Sequence, residues 1–96
     1  MKKTAGFTLV WTETFARTAR NFLGRHPGWV PEFRLVLELL ESDPRAPRLR
    51  LHALAGQHKG KYAVSLTYAY HIILVLHITE HEVVLLDVGN HDDGYG

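Results

Sequence analysis

The sequence predicts a single α+β domain over residues 1–96, a helical hairpin packed on a curled antiparallel sheet of about four strands. Two observations carry this. Apolar residues recur at helical spacing in the first half of the chain and alternate with a period of two in the second half. A chain of 96 residues, 46% apolar and 22% charged, has material for one hydrophobic core and is too apolar to be disordered.

Phe7 to Trp11 is rich in β-formers and predicts a first strand. Thr12 then suits a helix N-cap. From Glu13 to Gly24 the positions Phe15, Ala19, Phe22 and Leu23 share one helical face, and Gly24 and Pro27 end the helix. A second helix opens at Pro31, buries Phe33, Val36, Leu37 and Leu40, and stops at Ser42-Asp43-Pro44. Residues Asp43 to Lys61 read as a long loop broken by Pro44, Pro47, Gly56 and Gly60, with at most a short strand around Arg48 to Leu51.

Beyond the loop, Tyr62, Val64, Leu66 and Tyr68 alternate with smaller or polar residues up to a turn or bulge at Ala69-Tyr70. Strands over His71 to Thr79 and Glu82 to Val88 follow, separated by a turn at Glu80-His81, and Gly89 stops the last one. Within the first of these, His71, Ile73, Val75 and His77 share one face and Ile72, Leu74, Leu76 and Ile78 the other. That pattern puts a histidine at each end of an apolar row, near the sheet margin.

Eleven basic and ten acidic residues give a net charge of +1, so bulk charge does not announce a nucleic-acid binder. Distribution says more. Arg45, Arg48, Arg50, Lys59 and Lys61, with His52 and His58, fall in a stretch from Pro44 to Thr79 that contains no acid. Such a stretch could hold a polyanion, or it could be a solvated loop and strand edge. The chain has no cysteine, which removes disulfides and thiolate zinc sites. No apolar run is long enough to cross a membrane and nothing at the N-terminus resembles a signal peptide, so a cytoplasmic location is expected.

Three groups could meet at one end of the sheet: the loop with His52, His58, Lys59 and Lys61; His71; and the C-terminal His91-Asp92-Asp93 with Tyr95. Metal-free RNA cleavage needs a base for the 2′-hydroxyl proton, cations for the phosphorane and an acid for the leaving oxygen, and histidines with lysines can supply all three. Tyr95 or Tyr70 could stack on an unpaired base. Plainer readings stand beside these. His52 could be a half-buried histidine bonded to backbone, His91-Asp92-Asp93 a polar turn, and Tyr95 a plug on the core.

A family resemblance rests on four runs: Arg50-Leu51-His52-Ala53-Leu54-Ala55-Gly56; Lys59-Gly60-Lys61-Tyr62; Ser65-Leu66-Thr67-Tyr68-Ala69-Tyr70-His71-Ile72-Ile73-Leu74; and Leu85-Leu86-Asp87-Val88-Gly89-Asn90-His91-Asp92-Asp93 followed by Tyr95. Together they resemble the C-terminal half of RelE/ParE superfamily toxins of type II toxin–antitoxin systems, with most similarity to the YafQ-like branch. The resemblance implies a RelE-like fold and a ribosome-dependent endoribonuclease that cuts mRNA codons in the A site without a metal or other cofactor. It implies His52 and His91 as the acid/base pair, with His71 as an added acid or phosphate ligand. Lys59, Lys61 and Arg50 would hold phosphate, and Tyr95 would stack on a base. The implied partners are a cognate antitoxin, the ribosome and mRNA; there is no membrane partner, and DNA is met only through the antitoxin. The chain departs from the family at His71, where the family usually carries arginine, a permanently charged fork of donors that histidine replaces with fewer. The alternatives are a ParE-like toxin that inhibits DNA gyrase without cutting, and an inactive homologue that binds only an antitoxin.

Overall fold

Thr12 joins the first strand to the first helix, and its side chain accounts for both boundaries. In the computed structural model, which describes residues 6–90, β1 spans Thr8–Trp11 and α1 spans Glu13–Arg25. The Thr12 hydroxyl accepts from the Phe15 N–H at 3.1 Å and donates to the Leu85 carbonyl at 2.7 Å. One residue thus satisfies an orphan donor of the helix and ties the helix start to the last strand. Helix α1 buries Phe15, Ala19 and Phe22. It passes through Gly24 and is stopped at His26, which the following Pro27 holds outside helical backbone (φ −132°, ψ 63°).

A single 3₁₀ turn, Pro27–Trp29, leads into α2, Val30–Ser42, with Pro31 in its first turn and Phe33, Val36 and Leu40 buried. The two helices form the expected hairpin. The segment is loop-like as expected, and the short strand allowed for around Arg48 to Leu51 falls later: Pro47–Leu49 is a 3₁₀ turn, Arg50 takes a left-handed backbone, and β2 is only His52–Ala53. Proline fixes φ and removes an N–H, which favours a turn over a ladder at this point. Leu49, fully buried, anchors the turn to the core.

Strand β3 covers Tyr62–Ser65, β4 Tyr70–His77 and β5 Glu82–Asn90. The alternation through Leu66 and Tyr68 does not continue the strand. Residues 66–69 turn instead, with the Thr67 hydroxyl accepting from the N–H groups of Ala69 and Tyr70, each at 3.1 Å. Gly89 does not stop β5, because it still pairs with His71.

The sheet has five strands in the order β1-β5-β4-β3-β2, one more than expected. It is also not wholly antiparallel: β1 lies parallel to β5, with Thr8 opposite Glu82, while the other pairings are antiparallel. The helical hairpin, the loop and three strands all intervene between β1 and β5 along the chain, so this pairing is invisible to local pattern. In β4 and β5 the register shifts between Ile73 and Leu74, since Ile73 opposes Asp87 and Leu74 opposes Leu85. Leu86 is the extra residue, and the sheet gains local twist there.

Ile72 and Leu74 join Phe15, Phe22, Val36 and Leu85 in the core under the helices. Ile73 lies on the opposite face with Leu54 and Ala63, and Leu86 packs against them. The face away from the helices therefore carries a small apolar cluster, and His52 and His71 lie on that same face. No helix among the described residues is long and apolar enough to cross a membrane.

Candidate functional site

The site begins with a reversal of the backbone. Arg50 caps the Pro47–Leu49 turn at φ 53°, ψ 46°, a left-handed conformation that costs a residue with a Cβ about 1–2 kcal/mol. The reversal brings the Arg50 carbonyl to His52 Nδ1 at 2.9 Å. A carbonyl oxygen can only accept, so Nδ1 carries the proton in that bond. Nε2 of the neutral ring then holds the lone pair, on a side chain that is exposed to solvent. His52 is bonded to backbone, as the plainer reading held, but it is not half-buried.

Sheet register brings the second histidine in. His52 opposes Ala63, Ala63 opposes Ile73, and Ser65 opposes His71, so His71 lies diagonally from His52 on the same face. Their rings meet edge to face, 77° apart in plane, with centroids separated by 6.0 Å. His71 is only 7% exposed and is the one polar or charged side chain in the buried class among the described residues. It stands second in β4, near the sheet margin as expected, and strand pairing on both sides, by Ser65 and Gly89, encloses it there.

Arg50 and His71 line one cavity with Trp29, Glu32, Arg48 and Tyr68. The Arg48 guanidinium is ion-paired with Glu32 of α2. Lys61 lines a neighbouring groove with Thr12, Ile73, Leu86 and Asp87. The β2–β3 ladder positions it, for the Leu54 N–H donates to the Lys61 carbonyl at 2.9 Å. Lys59, exposed after the 3₁₀ turn Gly56–His58, lines neither. Arg50, His52 and His71 therefore come together, Lys61 stands one groove away, and Lys59 stands apart.

Tyr70 is on the other face. Its ring packs 4.8 Å from that of Phe22, and its hydroxyl lies 3.5 Å from His26 Nε2, so it does not share a face with His52. The described chain ends at Asn90, in register with Tyr70. His91 and Tyr95 lie outside the described residues.

Sequence reasoning missed four residues that the fold brings to this region: Trp29, Ser65, Tyr68 and Asp87. Asp87 had a visible signal, a lone acid inside the apolar run Val83 to Val88. Trp29 had none, since a tryptophan before a helix reads as ordinary packing. Among the described residues no group of three or more His, Cys, Asp or Glu side chains could hold a metal ion.

Neither a family model nor a curated protein matches the chain. Solved structures do. The crystal structure of YafQ from E. coli strain BL21(DE3) superposes with a TM-score of 0.76 at 15% identity, covering 94% of this chain and 99% of that one. YafQ in the E. coli DinJ–YafQ complex gives 0.74 at 16%, covering 94% and 99%. The toxin–antitoxin complex RelBE2 from Mycobacterium tuberculosis gives 0.69 at 21%, covering 95% and 98%. Identities this low carry the architecture alone, and that architecture is the RelE-like toxin fold.

Proposed function

We propose that this chain is the toxin of a type II toxin–antitoxin pair and acts as an endoribonuclease on mRNA in the ribosomal A site. The observation that carries the reading is the His52 ring: its Nδ1–H is engaged by the Arg50 carbonyl, its Nε2 is left as a base on an exposed side chain, and its ring meets that of His71, which lines a cavity with Arg50. A loop histidine held in one tautomer is what proton abstraction from a ribose 2′-hydroxyl requires.

In the proposed reaction His52 Nε2 removes the 2′-hydroxyl proton, and the 2′-oxygen attacks the adjacent phosphorus. Charge builds on the non-bridging oxygens, where Arg50 and His71 offer donors. The bond from phosphorus to the 5′-oxygen breaks, and His91 protonates that oxygen. The products are a 2′,3′-cyclic phosphate and a 5′-hydroxyl end, and acid/base chemistry of this kind needs no metal. Lys61, and Lys59 more remotely, would hold flanking phosphates, with Tyr95 stacking on a base.

Antitoxin binding is supported by the fold shared with YafQ and with the toxin–antitoxin complex RelBE2, both of which occur in structures with an antitoxin. The acid-free stretch from Pro44 to Thr79 supports a polyanionic substrate.

The test is to induce the chain in cells, alone and as His52→Ala plus His91→Ala, and to map mRNA 5′ ends at nucleotide resolution. Cuts within translated frames that vanish in the double variant are expected. Growth arrest without cuts would overturn the nuclease reading in favour of a target such as gyrase.

A further inference from the structure

We propose that the cavity lined by Trp29 and Tyr68 is a base-stacking subsite that takes an unpaired nucleotide of single-stranded RNA beside the one cut at His52. This rests on the ribonuclease reading and adds to it a binding element in the helical hairpin. Trp29, in the turn before α2, is 41% exposed, and Tyr68, at the β3–β4 turn, is 97% exposed. Both line one cavity of about 420 Å³ with Arg50 and His71. That volume falls in the range of pockets for small ligands, roughly 300–1,000 Å³.

The core has no use for Tyr68, yet the turn that presents it is tightly made. Thr67 bonds two N–H groups of the turn through its hydroxyl, and the N–H groups of Leu66 and Thr67 both donate to the Tyr70 carbonyl. The backbone that presents this ring is thus already ordered, so stacking costs only the freedom of the side chain itself.

The lining charges favour a nucleotide over a protein segment. Arg48 is engaged by Glu32, whereas Arg50 makes no ion pair among the described residues and is available to a phosphate. Two aromatic side chains beside one such cation suit any base with its face uncovered, and a duplex covers those faces. The subsite is therefore tolerant of base identity and selective for single strands.

The experiment uses the full chain carrying Trp11→Phe, which leaves Trp29 as the sole indole and changes a half-exposed edge residue. A short 2′-O-methyl oligoribonucleotide, which cannot be cleaved, is titrated against tryptophan emission, and an end-labelled copy is followed by anisotropy. Saturable quenching of Trp29 is expected, with Trp29→Ala and Tyr68→Ala each weakening binding by roughly 5- to 150-fold. An oligomer of the same length without bases should bind more weakly and quench little. Binding that spares Trp29 emission and is unchanged in both variants would overturn the subsite; His52-dependent cuts in cells would then leave the nuclease reading standing. Equal quenching by the base-free oligomer would also overturn it. An absence of both RNA binding and cuts would overturn the two together.

Discussion

The exposed ring of His52 meets the buried ring of His71 edge to face at 6.0 Å, while the Arg50 carbonyl takes the Nδ1–H of His52 at 2.9 Å. The first contact backs the ring and the second sets its tautomer. If His52 is the base, as proposed, it is organised before any substrate arrives, which is where enzymes gain from rigid positioning.

Replacing His52 by alanine should separate chemistry from stability. On the proposed function, cleavage on mRNA-programmed ribosomes should fall by roughly 100- to 10,000-fold. The side chain is exposed, so the unfolding free energy should move by no more than about 0.5 kcal/mol. Rate measurement beside a denaturant titration checks both.

Arg50→Gly should raise stability while lowering function. Glycine takes the left-handed backbone without the steric cost, which outweighs its extra unfolded-state freedom and leaves a gain of about 0.5–1 kcal/mol. The carbonyl that orients His52 remains, but the guanidinium is gone. RNA affinity should fall, and the slope of log affinity against log salt should shrink by about one. Unaltered salt dependence would show that Arg50 meets no phosphate.

Thr12→Ala removes both the cap of α1 and its tie to the Leu85 carbonyl. A loss of about 1–2 kcal/mol is expected. For a domain of this size that corresponds to a fall in Tm of roughly 4–8 °C per kcal/mol. Thr12→Ser keeps the hydroxyl and should recover most of the loss in a thermal melt.

Thr18→Val keeps the shape of the side chain but leaves the Val88 N–H without the hydroxyl that accepts its bond at 3.0 Å. Leaving a buried donor unmatched costs about 1–3 kcal/mol. Amide exchange at Val88 should quicken more than exchange in β3, since the bond joins α1 to the end of β5.

Much of the fold was legible because its elements are local. Phe15, Ala19 and Phe22 mark one helical face whatever they pack against, and Pro31 and Pro27 mark helix boundaries through their own backbone chemistry. Ile72 and Leu74 against Ile73 were assigned to opposite faces by alternation, and the two clusters agree. Tyr68 was misread because alternation continued through a turn whose hydrogen bonds come from Thr67. The family resemblance pointed to Arg50, His52 and His71 together, but it could not place Lys59 apart from them or Tyr70 on the far face.

By itself, then, the sequence determined the helical hairpin, the strand-forming segments and the basic, acid-free stretch. These depend on residue type and short-range spacing. Tertiary structure alone decided that β1 lies parallel to β5, that His71 is enclosed diagonally from His52, and that Trp29 and Tyr68 share a cavity with Arg50. Each joins residues too far apart in the chain for one local pattern to hold them. Which partners meet depends on burial and strand pairing summed over the whole chain, and no local window contains that sum.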